Sequence, residues 1–185
     1  HQGYQVPASS FGTPTAATQA LLNPNLATRY LAQRALHKLG AQAIPALTEA
    51  VRHGTSESLQ ARAVWQLALL SGRPEEQVAW ALEQSSAELR VVAIRLARQH
   101  NLELMPIVEQ LKRDPAPSVR RELAIALRHH PDPRAAGLWA ELAVQHDAAD
   151  RWYIEALGIG ADKQWDTYFD AWLRKVGDEW NTPAG

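Results

Sequence analysis

The segment RWYIEALGIGAD, residues 151–162, contains residue types that could form a phosphate-binding or catalytic site. A phosphate-binding glycine loop normally follows a strand and opens a helix, so that backbone N–H groups converge on the anion. Gly158 and Gly160 instead come at the end of a helical pattern, where glycine commonly accepts a positive φ. The sequence therefore predicts a bend at these glycines, with Asp162 as the N-cap of the next helix.

Carboxylates close to this segment could supply a general acid and a general base. They are Glu155, Asp162, Asp166 and Asp170. Asp166 and Asp170 are four residues apart and share one helix face, where like charges repel mildly. Because no second catalytic motif accompanies them, we expect a solvated acidic face and no catalytic residue.

Metal and thiol chemistry have little support in the sequence. The chain has seven histidines and no cysteine, which excludes disulfides, thiolate zinc sites and a cysteine nucleophile. No two histidines stand four residues apart, the spacing that would indicate zinc on one helix. We therefore expect no metal and no cofactor on these residues.

Adjacent aromatic residues near an arginine suggest a binding surface instead. Trp152 and Tyr153 are neighbours on a predicted helix, so both cannot face the core, and one must point toward a neighbouring loop or a ligand. Exposed aromatic residues and arginine are typical anchors of protein interfaces. The candidate partner-binding set is therefore Arg151, Trp152, Tyr153 and Trp165. Packing against a further module is the alternative use of these side chains.

One arginine recurs in each of five helical segments. The five are Arg29, Arg62, Arg90, Arg120 and Arg151, with spacings of 33, 28, 30 and 31 residues. An arginine at the same place in every unit is expected to form a ladder that binds loop carbonyls or carboxylates such as Asp114. The alternative is a grip on nucleic-acid phosphates, which needs a basic groove with aromatic platforms. The formal net charge of −1 argues against that alternative.

The elements that carry these residues repeat along the chain. Five arginine-bearing apolar segments end close to Gly, Asn or Pro, and a second helical segment follows each of them. Pro45 and Pro106 fall in the first turn of two second helices, where the missing N–H costs nothing. Two helices per unit of about 30 residues are typical of an α-solenoid. The predicted fold is all-α, a right-handed α-α superhelix of about five helix pairs.

The predicted organisation is a linker over residues 1–14 followed by one repeat domain over residues 15–185, read as a fragment of a longer protein. The expected repeats are approximately 23–53, 56–84, 86–113, 114–146 and 147–180. No apolar run approaches the ~20 residues of a membrane span, so we expect no direct membrane insertion.

A family resemblance accompanies this pattern. The stretch DPAPSVRRELAIAL, residues 114–127, resembles a HEAT repeat, and GAQAIPAL, residues 40–47, is similar to the opening of a HEAT second helix. The characteristic spacings of tetratricopeptide and ankyrin repeats are not found.

A narrower resemblance involves residues 23–36 and 150–185. They resemble the HEAT region of large bacterial proteins, common in planctomycetes and their relatives, that are described as membrane-bound dehydrogenases or haem-binding proteins. In those proteins a propeller precedes the HEAT region and a c-type cytochrome module follows it. The resemblance implies an exported, periplasmic or envelope location. This chain lacks the Cys-x-x-Cys-His motif, so the family's redox chemistry is not carried onto its residues.

The sequence thus predicts a non-catalytic scaffold or protein-interaction domain. By resemblance it would space or dock the redox modules of a larger exported dehydrogenase-like protein, and its partner would be a protein rather than nucleic acid. Two alternatives stay open: a HEAT-like nucleic-acid-binding or lyase-type enzyme, and a carbohydrate-binding surface that uses Trp152, Tyr153 and Trp165.

Overall fold

The structure is a computed structural model that describes residues 11–147 and 149–181. Every regular element in these residues is a helix, which confirms the all-α class. The α-helices are α1 (Pro14–Ala20), α2 (Leu26–Leu39), α3 (Ile44–His53), α4 (Glu57–Ser71), α5 (Pro74–Leu82), α6 (Ala87–Gln99), α7 (Met105–Leu111), α8 (Pro117–Ala126), α9 (Ala135–Ala143), α10 (Arg151–Gly160) and α11 (Trp165–Val176). Short 3₁₀ helices cover Gly40–Ala43 and Gly177–Asn181.

The ten helices after α1 coincide with the ten segments predicted from the repeated pattern. The arginine-bearing first helices are α2, α4, α6, α8 and α10, and the second helices are α3, α5, α7, α9 and α11. Pro45 and Pro106 lie at the starts of α3 and α7, as predicted. Of the predicted linker, residues 1–10 lie outside the described residues, and α1 begins at Pro14 behind the N-cap Thr13.

The chain divides into two compact units, His1–Ala81 and Leu82–Gly185. In the first unit α1 packs on α2 and α3, and α3 packs on α4. In the second unit α8 packs between α6 and α10, while α9 packs on α11. The second unit holds Trp152, Trp165 and most of the charged contacts described below.

Most first helices begin at a polar residue whose side chain accepts a hydrogen bond from the free backbone N–H groups of the first turn. Asn25, Ser56, Ser86 and Asp150 serve α2, α4, α6 and α10 in this way. The exception is α8, which begins at Pro117 without a side-chain cap. A proline fits there because its fixed φ suits the first helical position.

A residue with positive φ follows every first helix. The five are Gly40, Gly72, Asn101, His129 and Lys163, with φ between 53° and 67°. Each lies between a first helix and the second helix that follows it. Only the first two are glycines, so the turn after each helix is a repeated feature of the backbone rather than of one residue type.

The predicted bend at the two glycines is wrong. Gly158 and Gly160 both lie inside α10, and the chain turns later, at Lys163. Position 160 has room only for a glycine, because the backbone of α8 lies directly against it. Asp162 is not the N-cap of α11; Gln164 holds that position.

The core consists of the apolar stripes of these helices. In the second unit, Ile94 and Leu123 of first helices and Met105 and Leu142 of second helices are all essentially inaccessible to solvent. No helix among the described residues has both the length and the apolar composition needed to cross a lipid bilayer.

Candidate protein-docking site

The predicted arginine ladder has its fullest contacts at Arg90. Its Nε and Nη2 atoms donate to the two carboxylate oxygens of Asp114 at 2.7 and 2.9 Å. Its Nη1 atom donates to the backbone carbonyls of Gln84 and Ser85, both at 2.9 Å. The side chains of both Arg90 and Asp114 are largely withdrawn from solvent.

Arg120 repeats this geometry one helix later. Its Nη1 atom donates to the carbonyls of Asp114 and Pro115 at 2.6 and 3.2 Å. These carbonyls lie six and five residues before Arg120, the same offsets that separate Gln84 and Ser85 from Arg90. Asp114 is therefore held by Arg90 through its carboxylate and by Arg120 through its backbone, which ties α6 to the loop that enters α8.

The other three arginines differ from one another. Arg62 donates to the carbonyl of Leu21. The side chain of Arg29 has no hydrogen-bond partner among the described residues. The side chain of Arg151 is 83% exposed and, among the described residues, reaches only Glu155, at 3.5 Å. Loop carbonyls thus accept hydrogen bonds from Arg62, Arg90 and Arg120, whereas Arg151 makes no such bond within the part of the chain that the structure describes.

Trp152 and Tyr153 point in different directions, as their adjacency predicts. Trp152 is 71% exposed, whereas Tyr153 is 1% exposed and donates its hydroxyl to the carbonyl of Leu142 at 2.9 Å. The guanidinium of Arg120 lies over the Tyr153 ring. The ring and the hydroxyl of Tyr153 are therefore both used inside the fold, and Trp152 is the member of the pair that faces solvent.

Trp152 lies on a groove of about 480 Å³ that crosses α6, α8 and α10. We call this the polar groove. The side chains that matter most for its chemistry are Glu88 and Arg95 from α6, Arg121 and Glu122 from α8, and Trp152 and Ile159 from α10.

The charges on the floor of the polar groove are fixed by ion pairs. Glu122 is 5% exposed, accepts hydrogen bonds from Arg95 at 2.9 and 2.7 Å, and receives a longer one from Arg98 at 3.4 Å. The bond to Glu122 raises the pKa of Arg95. Arg121 is held by Asp150, the N-cap of α10, at 3.0 and 3.1 Å. The groove therefore presents a preorganised floor, and its arginines are already matched by carboxylates.

Trp165 belongs to a different surface of the second unit. It lines an apolar pocket of about 290 Å³ between α9, α10 and α11, together with Trp139, Ile154, Phe169 and Trp172. Trp139 is fixed by a hydrogen bond from Nε1 to the carbonyl of Leu157 at 3.1 Å, and Phe169 stacks on Trp172. The structure therefore does not bring Trp165 together with Arg151, Trp152 and Tyr153 in one site.

The carboxylates considered for acid–base chemistry do not share a pocket. Glu155 lies beside Arg151, and Asp162 accepts hydrogen bonds from Arg128 at 2.6 and 3.1 Å and contacts His129. Asp166 and Asp170 are exposed on α11. Within residues 11–147 and 149–181, no three His, Asp or Glu side chains lie together as a metal site requires.

The ion pairs of Glu122 with Arg95 and Arg98 were not predicted from the sequence. The signal was present, because Glu122 interrupts an apolar stripe between Val119 and Leu123, where a carboxylate must be paired if it is buried. The partners Arg95 and Arg98 are on a different helix, so their identity depends on how α6 packs against α8.

Comparison of the chain with family models, with curated proteins and with solved structures gives no match.

Proposed function

We propose that this chain is a non-catalytic helical-repeat scaffold that docks a protein segment in the polar groove. The proposal includes a HEAT-type repeat, with the helix pairs stacked as a right-handed α-α superhelix. The regular alternation of first and second helices, the positive-φ residue after each first helix and the equivalent bonds of Arg90 and Arg120 support this interpretation.

The observation that carries the docking proposal is the exposed Trp152 beside the buried Glu122–Arg95 pair. Tryptophan and arginine dominate the binding energy of protein interfaces when a partner removes water from around them. The floor of the groove is already held by ion pairs, so binding a segment there requires little further ordering of side chains. An exposed aromatic anchor on a rigid polar floor is the arrangement expected of a docking surface.

The lining of the polar groove suggests the chemistry of the segment. Glu88 and Glu155 remain exposed to solvent at the groove, while Ile125 and Ile159 offer apolar contacts. A segment with an aromatic or branched apolar residue next to Lys or Arg would satisfy both features. Backbone groups of such a segment would also meet the exposed guanidinium edge of Arg95.

The alternatives from sequence fit this surface less well. Three acidic and two basic side chains line the groove, so it repels a phosphate backbone more than it attracts one. Glu122, the buried carboxylate available to an enzyme of this fold, is already paired with Arg95 and Arg98. A carbohydrate platform of Trp152, Tyr153 and Trp165 is not formed, because one ring is buried and the other two lie on different surfaces.

The resemblance to the HEAT region of dehydrogenase-like proteins suggests which protein the docked segment belongs to. The docked segment would then belong to a redox module of the same parent protein or to an envelope protein, and the helical units would set its distance from other modules. Electron transfer itself would take place on those modules, without a cofactor on this chain.

The test begins with a displayed library of random peptides, selected on the folded chain. We expect the enriched sequences to combine an aromatic or aliphatic residue with Lys or Arg. Binding should be lost on Trp152→Ala and kept on Trp180→Ala, since Trp180 is 55% exposed but lies in the 3₁₀ helix Gly177–Asn181, away from the groove. Enrichment that is insensitive to Trp152→Ala would contradict the proposal.

A further inference from the structure

The second helix of the last pair leaves an apolar face uncovered by the described residues. Tyr168 is the only buried residue of the twelve in α11. Trp165 and Phe169 are 51% and 47% exposed, and with Trp172 they follow one face of the helix at positions i, i+4 and i+7. We call Trp165, Phe169 and Trp172 the aromatic ridge. In α9, by comparison, seven of the nine residues are buried. The sequence of α11 is therefore that of a helix with an apolar packing face, but the described residues do not cover this face.

The aromatic ridge is accompanied by negative charge. Asp166 and Asp170 lie beside it on α11, are exposed, and have no ion-pair partner among the described residues. Arg174 and Lys175, the basic residues of this helix, line a different depression, with α9. A surface that covers the ridge should therefore be apolar and carry positive charge at its edge.

The first unit carries a surface of that description. A cleft of about 640 Å³ is lined by Leu21, Leu26, Arg29, Tyr30 and Arg62, among others, and we call it the α2 cleft. Leu26 and Tyr30 are 71% and 57% exposed, although α2 is fourteen residues long and buries only Ala32 and Leu36. Apolar side chains at this level of exposure are typical of an interaction surface when they are contiguous.

The arginines of the α2 cleft lack acidic partners. The first acidic residue of the sequence is Glu49, and neither Arg29 nor Arg62 forms an ion pair with any described residue. Desolvation lowers the pKa of Arg62, and the nearby charge of Arg29 lowers it further. Two like charges beside an apolar cleft would be stabilised by carboxylates brought in by a partner.

We propose that the aromatic ridge of one copy of this chain docks in the α2 cleft of a second copy, with Asp166 and Asp170 facing Arg29 and Arg62. Both surfaces are apolar, both are uncovered by the described residues, and their charges are opposite. Because the two surfaces differ, the contact is heterologous, and each copy keeps one free ridge and one free cleft. Association can therefore continue beyond a dimer. The proposal does not involve the polar groove and stands apart from the docking function.

Two variants test this contact, each blocking one surface by charge. The ridge variant carries Asp166→Lys and Asp170→Lys, and the cleft variant carries Leu26→Glu and Arg29→Glu. All four positions are exposed or half-buried, and circular dichroism and thermal unfolding check that both variants fold. Sedimentation velocity at low salt measures association of each protein alone and of an equal mixture.

We expect the wild-type chain to form species of increasing size as its concentration rises, and to lose them at high salt because the ion pairs are exposed to screening. Each variant alone should be monomeric. Their equal mixture should form a one-to-one dimer and nothing larger, since only one intact ridge and one intact cleft can meet. Trp152→Ala should associate like the wild type.

Three results would overturn the proposal. A wild-type chain that stays monomeric at every concentration shows that the surfaces do not bind each other. Association of the cleft variant by itself shows that ridges pair with ridges. A mixture that stays monomeric, although wild type associates and both variants are folded, shows that an intact ridge on one copy does not bind an intact cleft on another.

Discussion

Gly160 in α10 lies directly against the carbonyl oxygen of Ala124 in α8, and a Cβ atom at position 160 would come within 2.3 Å of that oxygen. A side chain of any size would therefore push the two helices apart. At Gly158, one half-turn earlier in the same helix, no atom of the described residues beyond the adjoining helix backbone lies within 4 Å of where a Cβ would be. The two glycines thus differ in packing although they are two residues apart.

This difference predicts opposite effects of the same substitution. Gly160→Ala should lower the free energy of unfolding by about 1–3 kcal/mol, because the added methyl group overpacks the contact with α8. Gly158→Ala should raise it by roughly 0.5–1 kcal/mol, because alanine has the higher helix propensity. Urea denaturation of both variants measures the two changes, and a destabilising Gly158→Ala would show that α10 is not a regular helix there.

The Arg90–Asp114 pair should be the most costly ion pair to break. Removing one partner leaves the other charge withdrawn from water and without its two hydrogen bonds. Asp114→Ala should therefore lower the free energy of unfolding by about 3–5 kcal/mol. The matched control is Glu76→Ala, which breaks the exposed Arg73–Glu76 pair and should change that free energy by less than about 1 kcal/mol. Similar losses in the two variants would mean that Asp114 is accessible to water.

Two buried tyrosines should make the fold sensitive to alkaline pH. Burial raises the pKa of Tyr153 and of Tyr168 above the ordinary value of 10.0. Both hydroxyls donate to backbone carbonyls, of Leu142 and Leu127, each at 2.9 Å. Because the folded state holds these protons more tightly than the unfolded chain, stability is complete below pH 10 and decreases as the pH rises above it.

Ultraviolet titration of tyrosinate measures this effect. We expect one part of the absorbance change to occur only above pH 10, together with loss of the helical circular dichroism signal. A double variant, Tyr153→Phe and Tyr168→Phe, should lose that late part of the titration. If the late absorbance change persists in the double variant, the hydroxyls that ionise late are not these two.

The helices were predictable because each is marked locally. Polar N-caps such as Ser56 and Ser86 begin them, apolar stripes run through them, and Gly40 and Gly72 end the first two. The later turns at His129 and Lys163 were less visible, because neither residue type normally indicates positive φ. The backbone adopts it there because the neighbouring helices, α8 against α10 and α9 against α11, pack on each other and fix where each turn must lie.

The site was only partly predictable, for reasons of tertiary structure. Adjacency shows that Trp152 and Tyr153 cannot both be buried, but the choice depends on the carbonyl of Leu142, which accepts the tyrosine hydroxyl and comes from a different helix pair. The sequence predicts a bend at Gly160, because the packing of this glycine against the backbone of α8 is not visible in the sequence. The bonds of Arg90 and Arg120 follow from their repeated spacing, whereas Arg151 has the same spacing and different surroundings.

The proposed docking of a protein segment in the polar groove depends on Trp152, and this dependence can be measured as a change in affinity. A peptide selected on the folded chain is titrated by fluorescence polarisation against wild type, Trp152→Ala and Trp180→Ala. We expect Trp152→Ala to raise the dissociation constant at least about tenfold, which corresponds to about 1.4 kcal/mol of binding free energy. Trp180→Ala should leave the dissociation constant unchanged. Equal affinity for wild type and Trp152→Ala, with both proteins folded, would contradict the proposed docking.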